Sequence, residues 1–505
     1  MKRISILMLV LFTCFVLAAW PQAQTTTKYQ QYRLYDLGTF GGPDSAMSFY
    51  VISLTSKGAI GGAQTAVTDP FSPNCLGGLE GWPKMPDCYV MHAFLWNHGI
   101  LTDLGALPGH HGNNSSFANA INNEGVIAGM SENGDVDPDT GYPEVHAVIW
   151  NNGKIRDLGT LGGTQSSALD LNDLGQVVGW ALNTTEDPFS AAFEQLWFEG
   201  VWPVTTQFRA FVWENGAKHN LGTLGGPDAM AYAINERGQI MGYSYTNDTP
   251  NPATGIPTVD PFLWEGGKMI DLGTLGGTIG YPVWLNDNGQ VVGDSNLAGD
   301  EYSHGFLWDQ GVLRDLLPPK NGGNYSWTNW INELGDVVGG ATLSGDELND
   351  AMLWRFGKPI DLGTIGQDVC SEAAGMNDFG QVVGLSNECA SDQSDMRAFL
   401  WQQGSPMVDL NVLVENPTDL HLYWGAYIND SGEILAQGIL STGDIHTALL
   451  VPSGDCKEDC ERRIVASQNA PAVRANAGLT SPAFGKQGKW LHNRLGQRYA
   501  LPGQH

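Results

Sequence analysis

His146-Ala147-Val148-Ile149-Trp150 is followed by Asp157-Leu158-Gly159-Thr160-Leu161-Gly162-Gly163, and then by Leu171-Asn172 and Gln176-Val177-Val178-Gly179. The same order of an apolar stretch ending in Trp, an Asp-Leu-Gly stretch, a Gly pair and an Asn-x-x-Gly turn recurs about eight times along the chain. Self-similarity of this kind indicates tandem copies of one supersecondary unit. The fold can therefore be predicted before any chemistry.

Three landmarks locate each copy. The apolar stretches ending in Trp begin at His92, His146, Arg209, Pro261, His304, Ala351 and Arg397, with a degenerate copy at His446. The Asp-Leu-Gly stretches begin at Asp36, Asp103, Asp157, Asn220, Asp271, Asp315, Asp361 and Asp409. The Asn-x-x-Gly turns begin at Asn122, Asn172, Asn235, Asn286, Asn332, Asn377 and Asn429, with Ser56-Lys57-Gly58 as a degenerate first copy.

Each copy is predicted to contain four short strands. The Asn-x-x-Gly turn and the short link after each Trp are hairpin signals, and no long stretch with helical periodicity interrupts them. Spread over residues 32–452, the copies average about 53 residues each, which is typical of propeller blades. The sequence therefore predicts an all-β protein with a β-propeller fold.

The two ends of the repeat region are complementary. The region begins with a single Asp-Leu-Gly strand at 32–38 and ends with a hairpin at 427–437 plus one strand at 445–451. The first strand can complete the last blade and leave no exposed sheet edge. This arrangement predicts eight four-stranded blades closed by the N-terminal strand. Seven blades is the alternative if the first copy is too degenerate to form one.

The repeats resemble the HAF family of extracellular repeat proteins, which is named for the triplet at His92-Ala93-Phe94. His146-Ala147-Val148 and Arg209-Ala210-Phe211 are near copies. The resemblance covers nearly all of 32–452, and the layout is also kelch-like. It implies a secreted bacterial protein and no established reaction.

Charge is distributed unevenly along the chain. The net charge is −29, of which residues 1–23 carry +2 and residues 453–505 carry +4, so that residues 24–452 carry −35. A field of this sign repels phosphates and anionic membranes, which argues against nucleic-acid binding. It favours solubility outside the cell or cation binding.

The N-terminal segment 1–23 is typical of a signal peptide, with Met1-Lys2-Arg3 before a short apolar run. No other segment is apolar over the length that a membrane span needs. We therefore expect a secreted monomer, extracellular or periplasmic, consisting of a propeller over 32–452 and a basic C-terminal tail over 453–505. The tail is expected to be partly disordered beyond about residue 470.

Six cysteines remain after the signal peptide is excluded, and they fall into three close pairs: Cys75 and Cys88, Cys370 and Cys389, and Cys456 and Cys460. Local disulfides are the economical interpretation for an oxidising compartment. A metal site is the alternative, but its usual Cys-x-x-Cys pairs and interleaved His are absent from the sequence.

Functional residues are expected where the repeat is interrupted, because side chains that recur in each copy serve packing and turns. The segments 62–92, 129–146, 179–209 and 242–261 are longer than their later equivalents and should lie on one face of blades 1–4. They contain aromatic residues beside carboxylates, a combination used to bind sugars or peptides. The predicted ligand-binding residues here are Glu80, Trp82, Tyr89, Tyr142, Glu186, Asp187, Phe193, Glu194, Trp197 and Trp202. The alternative is that these aromatic residues form a satellite core near a Cys75–Cys88 disulfide.

Two further interruptions have possible chemistry. Asp135, Asp137 and Asp139 alternate in a tight loop and could converge on Ca²⁺, although an acidic exposed hairpin explains them equally well. His110 and His111 lie in an irregular loop and could bind a metal or ligand or transfer protons. No cofactor is required by the sequence, and no known catalytic motif is present.

Three hypotheses of function follow. The first is a non-enzymatic binding module for an extracellular glycan or protein that uses the loops of blades 1–4. The second is a polysaccharide hydrolase or lyase with a pair of carboxylates in the same cleft. The third is a structural scaffold without a small ligand.

Overall fold

The computed structural model describes residues 29–48, 52–72, 75–76, 88–109, 113–198, 204–252, 254–389, 395–416 and 418–469. These residues form an all-β protein, as the sequence predicts. Three helices accompany the strands: α1 Ser190–Phe198, α2 Leu410–Leu413 and α3 Glu458–Asn469. None of the described helices has the length and apolar character needed to cross a membrane.

A unit of four antiparallel strands recurs eight times in the part of the chain that the structure describes, and in the first unit a short fifth strand, Leu54–Thr55, also pairs with the second of the four. The first four units comprise β2 Gly41–Ala46, β3 Leu54–Thr55, β4 Gly58–Thr68, β5 Tyr89–Asn97 and β6 Ile100–Asp103; β7 Ser116–Ile121, β8 Ile127–Val136, β9 Pro143–Asn151 and β10 Lys154–Gly159; β11 Ser166–Leu171, β12 Val177–Glu186, β13 Thr206–Glu214 and β14 Ala217–Asn220; and β15 Ala229–Ile234, β16 Ile240–Tyr245, β17 Val259–Glu265 and β18 Lys268–Asp271.

The last four units follow the same pattern. They comprise β19 Gly276–Leu285, β20 Val291–Leu297, β21 Ser303–Asp309 and β22 Val312–Leu316; β23 Ser326–Ile331, β24 Val337–Thr342, β25 Asn349–Arg355 and β26 Lys358–Asp361; β27 Cys370–Met376, β28 Gln381–Asn387, β29 Arg397–Gln402 and β30 Val408–Asp409; and β31 His421–Ile428, β32 Ile434–Ile439, β33 Ile445–Asp455 and β1 Gln30–Asp36. The fourth and fifth units share one sheet through a single parallel pairing of Val259 with Ile279.

The N-terminal strand completes the C-terminal unit. β1 pairs antiparallel with β33, from Gln30 opposite Asp455 to Asp36 opposite Ala448. Tyr32 is fully buried by this pairing. The last unit also contacts the first, because the amide of Ile445 donates to Asp44 Oδ1 at 2.8 Å. The predicted pairing of the two chain ends is therefore present.

The Asn of six of the seven Asn-x-x-Gly turns joins its unit to the next. Asn235 Oδ1 accepts from the amide of Gln239 within its own turn, and Asn235 Nδ2 donates to the carbonyl of Asn286 in the following turn at 3.0 Å. The same inter-unit bond recurs at Asn122, Asn172, Asn286, Asn332 and Asn377. The side chain thus satisfies its own turn and holds neighbouring units side by side.

The repeated Asp of Asp-Leu-Gly is structural, as expected. Asp157 Oδ1 accepts from the amide of Gly159 at 2.6 Å and so fixes a tight turn, and Asp157 Oδ2 lies 2.9 Å from His146 Nδ1. Equivalent His–Asp pairs join His92 to Asp103, His304 to Asp315, and His446 to Asp36. The His of the repeat therefore links the third strand of a unit to the fourth.

Burial falls from the first strand of a unit to the fourth. β7, β11 and β15 are buried along their whole length, whereas the fourth strands β6, β10 and β14 are largely exposed. The repeated Trp side chains belong to the third strands, and most of them are buried in the apolar clusters between units. First strands therefore line the interior, and fourth strands form the outer surface.

Three disulfides close local segments, as the cysteine spacing predicts. They are Cys75–Cys88, Cys370–Cys389 and Cys456–Cys460, with Cα separations of 5.9, 5.1 and 5.5 Å.

Candidate functional site on the loop face

The strand order gives the molecule two distinct sets of connections. We call the side with the segments between second and third strands the loop face, and the side with the Asn-x-x-Gly turns and the third-to-fourth hairpins the hairpin face. On the loop face these segments are 69–88, 137–142, 187–205 and 246–258 in the first four units, and 298–302, 343–348, 388–396 and 440–444 in the last four. The elaboration is concentrated in the first four units.

Part of the elaboration consists of strands rather than loops. β4, β8 and β12 are longer than later second strands, and each shows a register shift near its loop-face end, between Gln64 and Thr68, Glu132 and Val136, and Leu182 and Glu186. The second unit therefore projects an extended hairpin where the sequence suggested a long loop. A bulge of this kind bends the strand and redirects its side chains.

The predicted ligand-binding residues divide into three groups. Tyr89, Tyr142 and Asp187 are partly exposed and Glu186 is exposed, so these four are accessible on the loop face. Phe193 and Glu194 are buried. Trp197 lies within α1, and Glu80, Trp82, His110, His111 and Trp202 lie outside the described residues.

Helix α1 packs one face onto the third and fourth units. The ring of Phe193 lies 4.8 Å from that of Tyr243, 5.0 Å from Tyr245 and 5.6 Å from Phe208. Phe193 thus lies in an apolar core, which is the environment proposed as the alternative to a ligand-binding site. Ligand contact by Phe193 or Glu194 stays a prediction. The sequence could not distinguish these two environments because an aromatic residue suits both.

A buried carboxylate anchors the start of α1. Asp228 Oδ1 accepts from Ser190 Oγ at 3.0 Å and from the amide of Phe208 at 2.7 Å. Burial raises the pKa of Asp228 to about 7, against the opposing effect of these two hydrogen bonds. The anchor holds the start of the helix against the fourth unit.

A second buried carboxylate pair lies between the first and second units. The Ser115 amide donates to Glu132 Oε2 at 2.8 Å and the Ser115 hydroxyl donates to Asp69 Oδ2 at 3.0 Å. Burial raises the pKa of Glu132 to about 8, and repulsion from the nearby Asp69 contributes to this shift. This pair was not predicted from the sequence, although Glu132 lies in the middle of a second strand and just after its apolar part 127–130.

The acidic loop at 133–142 is held by its own hydrogen bonds. Asp137 Oδ1 accepts from the amides of Asp139 and Thr140, and Asp137 Oδ2 accepts from Thr164 Oγ1 at 2.6 Å. Asp135 and Asp139 are exposed. Across the described ranges, no three His, Cys, Asp or Glu side chains are grouped so that they could hold a metal. Calcium binding at Asp135, Asp137 and Asp139 stays a prediction.

Comparisons with known proteins give only distant similarity. No family model matches the chain, and no curated protein matches it. Among solved structures it is similar to the β-propeller domain of the Trilobed protease from Pyrococcus furiosus, with 8% identity over 66% of this chain and 93% of that one and a TM-score of 0.39.

Two further matches are weaker still. Dipeptidyl peptidase 4 of Porphyromonas gingivalis is 10% identical over 70% of this chain and 53% of that one, with a TM-score of 0.36. TolB from Acinetobacter baumannii is 10% identical over 84% of this chain and 98% of that one, with a TM-score of 0.29. Similarity at this level indicates no function, and the description of the fold depends on the strand pairing above.

Proposed function

We propose that the chain is a secreted binding module that recognises an extracellular glycan or protein on the loop face of its first four units. One observation carries the proposal: the segments between second and third strands are long in the first, third and fourth units, and the second unit projects the extended strand β8 there, whereas the last four units have only short segments and short second strands. Connections that only close a hairpin need few residues, so long or projecting ones are typical of binding surfaces. The accessible Tyr89 and Tyr142 supply flat apolar surfaces, and Glu186 and Asp187 supply hydrogen-bond acceptors.

The proposal includes the closed shape. We propose that the eight units are eight blades around one axis, in a chain that resembles the HAF family. Trp330 of the sixth unit stacks on Trp284 of the fifth at 4.2 Å, and its ring lies 5.5 Å from that of Tyr427 in the eighth. A contact that skips the seventh unit is expected where first strands converge on a common centre. Such a ring places the elaborated segments next to each other in an arc.

Binding is tested with the full chain in a thermal-shift screen against xylan, pectin, laminarin, alginate and chitin oligosaccharides, together with a panel of extracellular proteins. Affinity for each hit is then measured by calorimetry. Tyr89→Ala with Tyr142→Ala is expected to weaken binding at least tenfold, since stacking area is lost. Leu174→Asn changes an exposed residue on the hairpin face and is the matched control. Equal affinity of all variants, or no hit at all, rejects the proposal and favours a scaffold.

A second candidate, a polysaccharide hydrolase or lyase, is favoured by the Asp69–Glu132 pair. The two carboxylates bind the same Ser115, and a carboxyl group with a pKa near 8 is protonated at neutral pH and can act as a general acid. Reducing-end and unsaturated-product assays on the same polysaccharides test it. The enzyme hypothesis is supported if Glu132→Gln abolishes turnover and Glu132→Asp retains part of it. It is rejected if none of these polysaccharides is turned over.

A further inference from the structure

The hairpin face carries a continuous row of carboxylates. The residue after the turn Asn is acidic in six consecutive units, and each carboxylate accepts from an amide of the preceding turn. These carboxylates belong to Asp173, Glu236, Asp287, Glu333, Asp378 and Asp430, with donor–acceptor distances between 2.8 and 3.0 Å. Burial and the neighbouring carboxylates raise the pKa of both Glu236 and Glu333. The row is therefore a fixed negative surface with mutual repulsion that a cationic partner would relieve.

Three large apolar side chains stand on this face in the sixth and seventh units. Leu334, Phe356 and Phe379 are 70%, 92% and 76% exposed. Their turns are neighbours. The amide of Glu333, next to Leu334, donates to the carboxylate of Asp378, next to Phe379. The side chain of Arg355, next to Phe356, lies against Gly380 of the same turn as Phe379. We call these three residues the apolar patch. Clustered exposed apolar residues of this size are typical of an interaction surface.

Folding of the local turns does not explain the patch. Phe356 has a φ of +52°, and the equivalent hairpin positions hold Asn152 and Asn215 at +52° and +50°. Asn tolerates this left-handed conformation, whereas a bulky residue there is strained. At the turn position of Leu334 and Phe379, the fifth unit has Asn288. Polar residues therefore serve these positions in most of the other units, and Leu174 of the third unit, which is 69% exposed, is the exception.

A segment of matching chemistry follows the described residues. Residues 470–505 contain five Lys or Arg and no Asp or Glu, and they include Phe484, Trp490, Leu491 and Tyr499. Helix α3 ends at Asn469, where Gln468 Nε2 donates to the carbonyl of Met407 in the seventh unit. The same hairpin link contains Gln403, whose Oε1 accepts from Arg355 Nη1 at 2.9 Å. At the end of α3, the carbonyls of Ser467 and Gln468 pack against Gly366, in the connection between β26 and β27. The chain thus leaves α3 on the loop-face side of the same two units that carry the apolar patch.

From these observations we infer that the basic tail 470–505 docks on the hairpin face of its own molecule, with aromatic side chains on the apolar patch and Lys or Arg side chains along the carboxylate row. The tail leaves α3 at the same two units, and 36 residues can span on the order of 30 Å, so docking within one molecule has a high effective concentration and needs little intrinsic affinity. The inference is independent of the proposed function, which uses the opposite face.

A photo-crosslinking amino acid at position 490 in the full chain tests the inference. Crosslinks mapped by mass spectrometry are expected within 333–336, 355–357 and 378–380. Leu334→Asn combined with Phe356→Asn and Phe379→Asn should lower the crosslink yield at least tenfold, because the docking surface is removed while residues used in equivalent turns are introduced. Raising NaCl from 0.05 to 0.5 M should also lower it, since the charge attraction is screened. Leu174→Asn, at the same turn position in the third unit, should leave the yield unchanged.

Three results would overturn the inference. Crosslinks mainly to the loop face, or an unchanged yield in the triple variant, exclude the apolar patch as the docking site. A yield that rises with protein concentration, accompanied by dimers in sedimentation velocity that disappear in the triple variant, assigns the tail to a second copy. Thermal unfolding of each variant confirms that the chain is folded, and the Asn substitution at position 356 is expected to raise stability.

Discussion

At the scale of single residues, the Asn of the Asn-x-x-Gly turn makes more hydrogen bonds than a residue of an exposed turn would need. Asn235 is buried and donates to both Gln239 Oε1 and the carbonyl of Asn286, while its Oδ1 accepts from the amides of Arg237 and Gln239. Asn235→Ala should lower the free energy of unfolding by roughly 2–4 kcal/mol, since buried partners lose their bonds. Urea denaturation measures the change. Ser431→Ala, an exposed residue of the eighth turn, is the control and should change little; a similar loss for both contradicts the inter-unit role.

Two units carry a pair of carboxyl groups where four others carry His and Asp. Asp260 faces Asp271, and Asp350 faces Asp361; burial and the partner carboxylate raise the pKa of both Asp260 and Asp350 to about 7. An unfolded Asp titrates near 4, so the folded protein binds extra protons. The resulting stability is present below pH 4 and is lost as the pH rises towards 7.

Replacing both buried members should remove this loss. Asp260→Asn with Asp350→Asn is expected to raise the free energy of unfolding at pH 8 by roughly 1–2 kcal/mol per pair, allowing for solvent screening, and to flatten its decline between pH 4 and 7. Chemical denaturation across this pH range is the measurement. Asp139→Asn, at an exposed position, should keep the wild-type profile. If the double variant shows the same decline, the pairs do not share protons.

At the scale of elements, α1 allows the two interpretations of its aromatic face to be separated. Phe193 is fully buried against Phe208, Tyr243 and Tyr245. Phe193→Ala should therefore cost about 3–5 kcal/mol of stability, and Phe193→Leu clearly less, because the cavity is smaller. Guanidinium denaturation followed by tryptophan fluorescence reports the loss. Unchanged stability with weaker ligand binding would instead show that the ring serves a ligand.

The sequence predicted elements whose pattern recurs and missed those that occur once. Strand order, turns and the pairing of β1 with β33 follow from comparing copies, since a signal repeated in each unit is hard to misread. Helices α1 and α3 lack such support, and neither has a long periodic stretch. The segment 129–146 was expected to be a long loop, with an acidic exposed hairpin at Asp135, Asp137 and Asp139 as the alternative to a calcium site, and the structure places the projecting hairpin of β8 and β9 there. Burial of Glu132 and Glu194 depends on packing between units, which one unit's residues do not specify.

At the scale of the whole molecule, the two faces differ in kind. The loop face is irregular in the first four units and short in the others, whereas the hairpin face repeats the same turn and carboxylate from unit to unit. The repeated turns and carboxylates thus stabilise the hairpin face, whereas the segments of the loop face are free to vary. In the proposed closed ring both properties would persist around the molecule, because every unit would then have two neighbours.

The proposed closure of the ring can be tested by removing the N-terminal strand β1. A chain starting at residue 37 lacks β1, so β33 becomes an unpaired edge and the site of Tyr32 is opened; a chain starting at residue 29 keeps both and is the control. The shorter chain should lose more than about 4 kcal/mol of stability through the lost burial of Tyr32 and Leu34 and the lost strand pairing. It should also self-associate through the exposed edge. Thermal unfolding and sedimentation velocity measure both effects. Equal melting temperatures and a monomeric shorter chain would mean that the last unit is stable with three strands, and that the ring does not depend on its N-terminal strand.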